Sequence, residues 1–169
     1  MITRFKQPVL ISIALVIITG CSHYKLGDVS SLPFRTIYVA PAKNSSFAPQ
    51  AQAILTQQVS DALLRSGLKL AGPNQADVTL NLEITHYERR VSATQADDTA
   101  LAESFTLVMD ATSTLSHNSL DKLYYSNRPH SASQQTYIND GFQASEYQAT
   151  PALTQQLADD IANSVTSVW

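Results

Sequence analysis

Cysteine occurs once in the 169 residues, so no disulfide can form within the chain and a thiolate metal site has no ligand set. The five glycines are dispersed, which leaves no glycine-rich loop to cradle a phosphate. The four histidines, His23, His86, His117 and His130, are scattered, and no two share the spacing of metal ligands. No serine stands in a nucleophile-elbow context. Charged residues make up 15% of the chain and the formal balance is −3, without the dense basic face of a nucleic-acid binder. These absences argue against an enzyme, a bound cofactor or metal, and a nucleic-acid partner. Hydrophobic residues reach 44%, enough for a packed core rather than a disordered tether.

Long apolar runs are also missing. The longest, Val9 to Ile18, is broken by Ser12 and is too short for a membrane-spanning helix, which needs about 20 apolar residues. With Arg4 and Lys6 ahead of it, the run has the form of a secretory signal. It leads to Ile18-Thr19-Gly20-Cys21, which resembles the bacterial lipobox of one bulky apolar residue, two small ones and a cysteine. That resemblance implies cleavage before Cys21 and acylation of its thiol and new amino terminus. Each buried acyl carbon is worth about 0.8 kcal/mol, so several chains hold a protein on a membrane without a spanning helix. Ser22 follows the cysteine instead of the Asp that marks inner-membrane retention in such lipoproteins, and by that analogy the destination is the outer membrane. The expected organisation is a cleaved signal over 1–20, a lipidated lead-in over 21–34 and one domain over 35–169. Loss of Arg4 and Lys6 moves the balance from −3 to −5.

Within the domain, Ile37 to Val39 reads as a short strand ended by Pro41. Pro49 opens a helix reaching to about Ser66, with Ile54, Leu55, Val59, Ala62 and Leu63 on one face and Gly67 as its stop. A short edge strand in "LKLAGP" follows. From Asp77 the period becomes two: Val78, Leu80, Leu82 and Ile84 face one way, Thr79, Asn81, Glu83 and Thr85 the other. Phe105, Leu107, Met109 and Ala111 repeat the pattern after "SATQADDTALAE". A third strand is expected around Leu123 to Ser126, and the Ser/Ala/Gln-rich stretch near Ser131–Gln135 has a low-complexity flavour. Thr150 is placed to cap a last helix with Pro151 in its first turn, and Leu153, Leu157, Ile161 and Val165 form its stripe, joined by Ala158, Ala162 and Val168. The predicted fold class is α+β: a two-layer sandwich, with two amphipathic helices packed on one face of a mixed, mostly antiparallel sheet of about four strands.

Three features invite a functional reading. Asp97-Asp98 lies in a loop and offers a weak cation site; Asp159-Asp160 diverges by about 100° on a helix and suits a solvated face. Arg89-Arg90 ends the long strand, where two guanidinium forks can grip phosphate or carboxylate, or can protect an edge or pair with Glu88 and nearby acids. Seven tyrosines, with Trp169, suit an interface or a half-buried sheet equally.

The order of "HYKLGD", "IYVAPAKNSSFAP", "ADVTLNLEITHYE", "AESFTLVMDATSTL" and "ATPALTQQLADDIANSV" behind a lipobox resembles the LPS-assembly lipoprotein LptE family. The turn with Pro41, Asn44 and Ser46 and the run from Ala76 to Tyr87 carry the likeness best. The resemblance implies an outer-membrane lipoprotein that plugs the LptD β-barrel translocon, supports its assembly and helps insert lipopolysaccharide into the outer leaflet, with no covalent chemistry. It implies LptD and lipopolysaccharide as partners and basic loop residues as lipid contacts. Here "SATQADDTALAE" carries three acids and no base, so the nearest lipid-binding candidates are Arg89, Arg90, Lys122 and Arg128. A different class stays open: a periplasmic adaptor lipoprotein that scaffolds or activates another envelope enzyme or transporter. A small-ligand carrier lacks a convergent polar cluster in the sequence.

Overall fold

Strict alternation on two neighbouring segments makes one side of a sheet aliphatic and the other wet. The computed structural model describes residues 32–48, 50–94, 102–138 and 141–168. In it β1 (Thr36–Val39), β2 (Lys43–Asn44), α1 (Ala51–Arg65), β3 (Lys69–Leu70), β4 (Val78–Thr94), β5 (Ala102–His117), β6 (Leu123–Tyr137) and α2 (Phe142–Thr166) follow in chain order. The sheet has six strands, more than the four or so expected, in the order β3-β1-β4-β5-β6, with β2 also paired to β4. The meander β4-β5-β6 is antiparallel, whereas β1 pairs in parallel with β3 and β4, and β2 in parallel with β4. The extra strand, β2, is two residues long and too short to leave a period in the sequence.

Val78, Leu80, Leu82 and Ile84 meet Phe105, Leu107, Met109, Ala111 and Leu115 on the dry face, which the two helices cover. From α1 come Ala51, Leu55, Val59, Ala62 and Leu63; from α2 come Leu153, Leu157, Ala158, Ile161, Ala162 and Val165. Ile54 is only half-buried. Helix α1 ends as expected at Gly67, whose φ of 92° is open to a residue without Cβ. The N–H groups of Gly67 and Leu68 donate to the carbonyls of Leu64 and Leu63, satisfying the last turn in a Schellman arrangement. The expected turn at Pro41, Asn44 and Ser46 is also there. Asn44 Oδ1 accepts from the Ser46 N–H at 3.0 Å and the Ser46 hydroxyl at 2.7 Å, and Asn44 Nδ2 donates to Ala48 O at 2.8 Å.

Several elements are longer than expected. Strand β4 runs on to Thr94, so Arg89 and Arg90 lie within it and not at its end, and the ladder to β5 carries the extension. Helix α2 starts at Phe142, not at Thr150, and Pro151 lies inside it. Pro151 supplies no N–H to the helix, a loss of about 3 kcal/mol in an average interior position. It sits on the exposed side, and its carbonyl accepts a hydrogen bond from Gln58 Nε2 of α1 at 3.0 Å. Thr150 is buried and gives its hydroxyl to Glu146 O instead of capping. Strand β6 runs to Tyr137, so the Ser/Ala/Gln stretch is sheet rather than low-complexity chain. Its helix-side residues are held by α2: His130 by Asp160, and Gln134 by Gln156.

The sheet ends differently at its two edges. β3 is two residues long and carries Lys69, both devices that discourage further pairing. β6 is long, and its edge-blocking residue is Pro129, opposite Thr112. Cys21, the rest of residues 1–31, Pro49, Asp97-Asp98 and Trp169 lie outside the described residues.

Asp77 joins the start of β1 to the start of β4. Its Oδ2 accepts the N–H groups of Arg35 and Thr36, both at 2.9 Å, while its own N–H donates to Thr36 Oγ1. These hydrogen bonds, led by the Arg35 N–H, hold the carboxyl below the usual range for aspartate. The folded pKa is the lower one, so the carboxylate's stabilisation is complete above the unfolded value and drains as pH falls through the folded one. Asp77→Ala should lower stability by about 1 kcal/mol at pH 7, discounted for solvent exposure. In urea titrations the gap between Asp77→Ala and the parent chain should close as the pH is lowered below 4, in the range set by the ordinary aspartate pKa of about 3.9.

Candidate functional site

Arg89 and Arg90 stand on opposite sides of β4, and a bulge decides which is which. The register steps from Ile84↔Ala111 to His86↔Asp110, so Thr85 is an extra residue on β4. Beyond it the parity flips. Tyr87, Arg89 and Val91 now pair with Met109, Leu107 and Phe105 on the helix-covered side, while His86, Glu88 and Arg90 face out. The outward Arg90 donates to Glu88 Oε2 at 2.6 Å, and His86 lies 3.5 Å from the same oxygen. That charge-assisted bond, Arg90 first and His86 second, lowers the Glu88 pKa. Pairing with acids holds for both arginines, but the acids differ: Glu88 for Arg90 and Glu146 for Arg89.

Arg89 enters a built cluster. Its Nη1 donates to Glu146 Oε2 at 3.0 Å, its guanidinium lies 5.2 Å from the centre of the Phe142 ring, and Phe142 stacks on Phe105 at 4.5 Å. Glu146 Oε1 accepts the Tyr87 hydroxyl at 2.5 Å. Burial, then the bond to Glu146, pushes the Tyr87 pKa well up, so this phenol remains a donor. The Glu146 side chain is 11% exposed and that of Arg89 48%, so the acid is enclosed while the cation opens to solvent. Beside them lies a groove of about 310 Å³ between the first turn of α1 and the first three turns of α2, lined in part by Gln50, Ile54, Tyr147 and Pro151. A guanidinium has five N–H donors, so Arg89 keeps several for an anionic group arriving from the groove.

Lys122 and Arg128 belong elsewhere. The β4–β5 register places Arg89 beside Leu107, whereas Lys122 and Arg128 flank the β5–β6 turn, past Ser113. The four basic candidates therefore divide between two ends of the sheet. Lys122 Nζ sits 4.7 Å from the Tyr124 ring centre, and Arg128 covers Tyr125 at 4.1 Å and donates to Ser164 O of α2. Asp159 and Asp160 diverge as expected but are both engaged, Asp159 with Arg65 at 3.2 Å and Asp160 with His130.

One constellation leaves no mark in the sequence. Ser113 Oγ lies 2.7 Å from His130 Nε2, and His130 Nδ1 lies 2.5 Å from Asp160 Oδ2. The three residues come from β5, β6 and α2 and resemble a Ser-His-Asp relay. Their exposure runs the wrong way for acyl transfer: Ser113 is 1% exposed, while the Asp160 side chain is 59% exposed. No substrate can reach Ser113 Oγ, and the relay serves to satisfy a buried imidazole between sheet and helix. Glu146 is likewise absent from the sequence-derived candidates, because a helix beginning at Thr150 excludes it. Phe142, Glu146, Ala149 and Leu153 continue the stripe backwards through Pro151, and that spacing is the available signal.

A family model described as LptE, lipopolysaccharide-assembly, matches residues 34–165. Among curated proteins none matches the chain. Solved structures share the fold. A protein from Xanthomonas campestris aligns with a TM-score of 0.61 at 12% identity, over 80% of this chain and 85% of that one. One from Chlamydia trachomatis gives 0.57 at 11%, over 79% and 96%. A candidate lipoprotein from Caulobacter crescentus gives 0.54 at 15%, over 78% and 88%.

Glu146→Ala should leave the Tyr87 hydroxyl and the Arg89 guanidinium unpaired and cost about 2 kcal/mol in chemical denaturation. Arg90→Ala, on the exposed face, should leave the denaturation midpoint essentially where it is. Equal effects would contradict the parity flip at Thr85.

Proposed function

The chain belongs to the LptE family of lipopolysaccharide-assembly proteins, and from that premise we propose that it is an outer-membrane lipoprotein that plugs an LptD-type β-barrel, supports barrel assembly and helps move lipopolysaccharide to the outer leaflet. The observation that carries this reading is the extent of the family match, which takes in every strand and all but one residue of α2. Cys21 is the acylated residue and Ser22 directs it outward. The wet sheet face supports a lumenal location. Thr79, Asn81 and Glu83 of β4 and Thr106, Asp110, Thr112 and Thr114 of β5 stand there half-buried or exposed, uncovered by either helix. Hydroxyl and amide groups of this kind suit the polar interior of a membrane barrel.

Arg89 and Arg90 are the lipid contacts of this reading at one end of the sheet, and Lys122 and Arg128 those at the other. Phosphates and sugar acids of lipopolysaccharide are anionic, and a guanidinium fork binds them with two parallel hydrogen bonds. Arg89 has a partner to exchange, since Glu146 retains the Tyr87 hydroxyl when the arginine turns to a ligand.

Extraction of the full acylated chain in mild detergent should bring down one large outer-membrane β-barrel protein in equal amount. Depletion should reduce lipopolysaccharide on the cell surface. A stoichiometric envelope enzyme or transporter in place of the barrel would favour the adaptor reading instead. Arg89→Ala combined with Arg90→Ala should weaken lipopolysaccharide binding about tenfold, the scale of losing two charge-assisted contacts in water. Unchanged binding would remove both residues from the contact.

A further inference from the structure

The turn between β5 and β6 is tightly braced, yet it holds apolar side chains out in solvent. His117 N donates to Lys122 O at 2.8 Å, closing the turn. Asn118 then ties it to the start of β4: its N–H donates to Asp77 O at 2.8 Å, its Nδ2 to Ala76 O at 2.7 Å, and its Oδ1 accepts from Thr79 Oγ1 at 2.7 Å. On this braced loop Leu120 is 67% exposed and Leu123 57% exposed. Nothing in the loop's own hydrogen bonding needs a leucine at either place.

The same end of the molecule is where the chain enters the domain. Arg35 N–H binds the Asp77 carboxylate, and Asp77 O accepts from the turn, so the residue just before β1 and the turn share one anchor point. Phe34 packs edge-on against Tyr124, 5.6 Å between centres, immediately after Leu123. Ten residues separate Cys21 from Leu32. Fully extended they reach about 35 Å, so an acylated Cys21 keeps this end within that distance of the membrane surface.

Charge agrees with that placement. Arg35, Lys69 and Lys122 gather here, Lys69 N donating to Arg35 O, and none of the three forms an ion pair among the described residues. The nearby acids are Asp121 in the turn and Asp77, which its two backbone N–H partners keep ionised, so the three cations exceed these two anions by one charge. A small basic rim around two exposed leucines fits an anionic phospholipid surface, where each cation adds attraction and each leucine leaves water.

We propose that the β5–β6 turn is a second membrane contact of this protein, with Leu120 and Leu123 seated in the headgroup region of the leaflet that holds the acyl anchor. It rests on the acylation of Cys21 proposed above, and it fixes which end of the domain faces lipid. The lipid chains at Cys21 supply affinity; the turn supplies orientation, which a single point of attachment does not.

The test uses the full acylated chain on vesicles of phosphatidylethanolamine and phosphatidylglycerol. Acylation consumes the natural thiol, so Leu120→Cys, Leu123→Cys and Val91→Cys each offer one site for an environment-sensitive nitrobenzoxadiazole label. Val91 is exposed at the other end of β4 and serves as the control. Emission at 120 and 123 should shift to the blue and be quenched about twofold or more by spin-labelled lipid, as expected for side chains about 5–10 Å into the headgroup boundary. The label at 91 should stay in water. Labels at 120 and 123 that remain in water while the chain floats with the vesicles would overturn the contact and leave the anchor standing. Shielding that arises only after a barrel protein is added would overturn it in favour of a protein contact. Mass spectrometry showing an unacylated Cys21 would overturn the anchor and this proposal with it.

Discussion

Strands of 17, 16 and 15 residues paired side by side make a long pleated surface, and one of its faces is almost wholly aliphatic. Each fully buried leucine or isoleucine contributes about 1.5–3 kcal/mol, so leaving that face wet is out of the question. Covering it sets the length of α2. A helix starting at Thr150 would protect only the half of the face near the β5–β6 turn. Continuing back to Phe142 covers Phe105 and Leu107, even with a proline inside. The Arg89 cluster follows from this: the same extension brings Glu146 and Phe142 over β4, where the bulge has turned Tyr87 and Arg89 to meet them.

Strong periodicity makes residues legible from sequence. The alternation through Ile84, the stripe Leu153–Val165 and the stop at Gly67 depend on local chemistry alone, and each stands where its pattern puts it. The rest depends on partners distant in the chain. The bulge at Thr85 has no glycine or proline to announce it, so alternation holds only as far as the parity flip, and Arg89 and Arg90 read as a pair. β6 beyond Ser126 is poor in strand-forming residues; what holds it is the ladder to β5 and the side chains of α2. The relay Ser113, His130 and Asp160 is assembled from three elements and has no spacing to detect. For Lys122 and Arg128, chain order shows proximity to a hairpin but not that the hairpin points away from Arg89.

The two ends of the sheet thus carry different chemistry. One has the groove, an enclosed acid and a half-open guanidinium under aromatic rings. The other has a braced turn, exposed leucines and a loose rim of cations next to the point where the chain enters. The fold is shared with proteins only 11–15% identical, so closing the core does not demand one particular set of side chains. Side chains on the wet face and at the two ends are not fixed by that need, and they are free to differ with what each protein touches.

Length has its own consequence. A strand rises about 3.3 Å per residue, which gives the 17 residues of β4 a contour of roughly 55 Å before twist and the bend at its bulge are allowed for. A bilayer's hydrocarbon core is about 30 Å thick. Its pleated sheet, backed by a helix of 25 residues, is therefore long enough to carry chemistry from one side of the greasy interior of a membrane to the other.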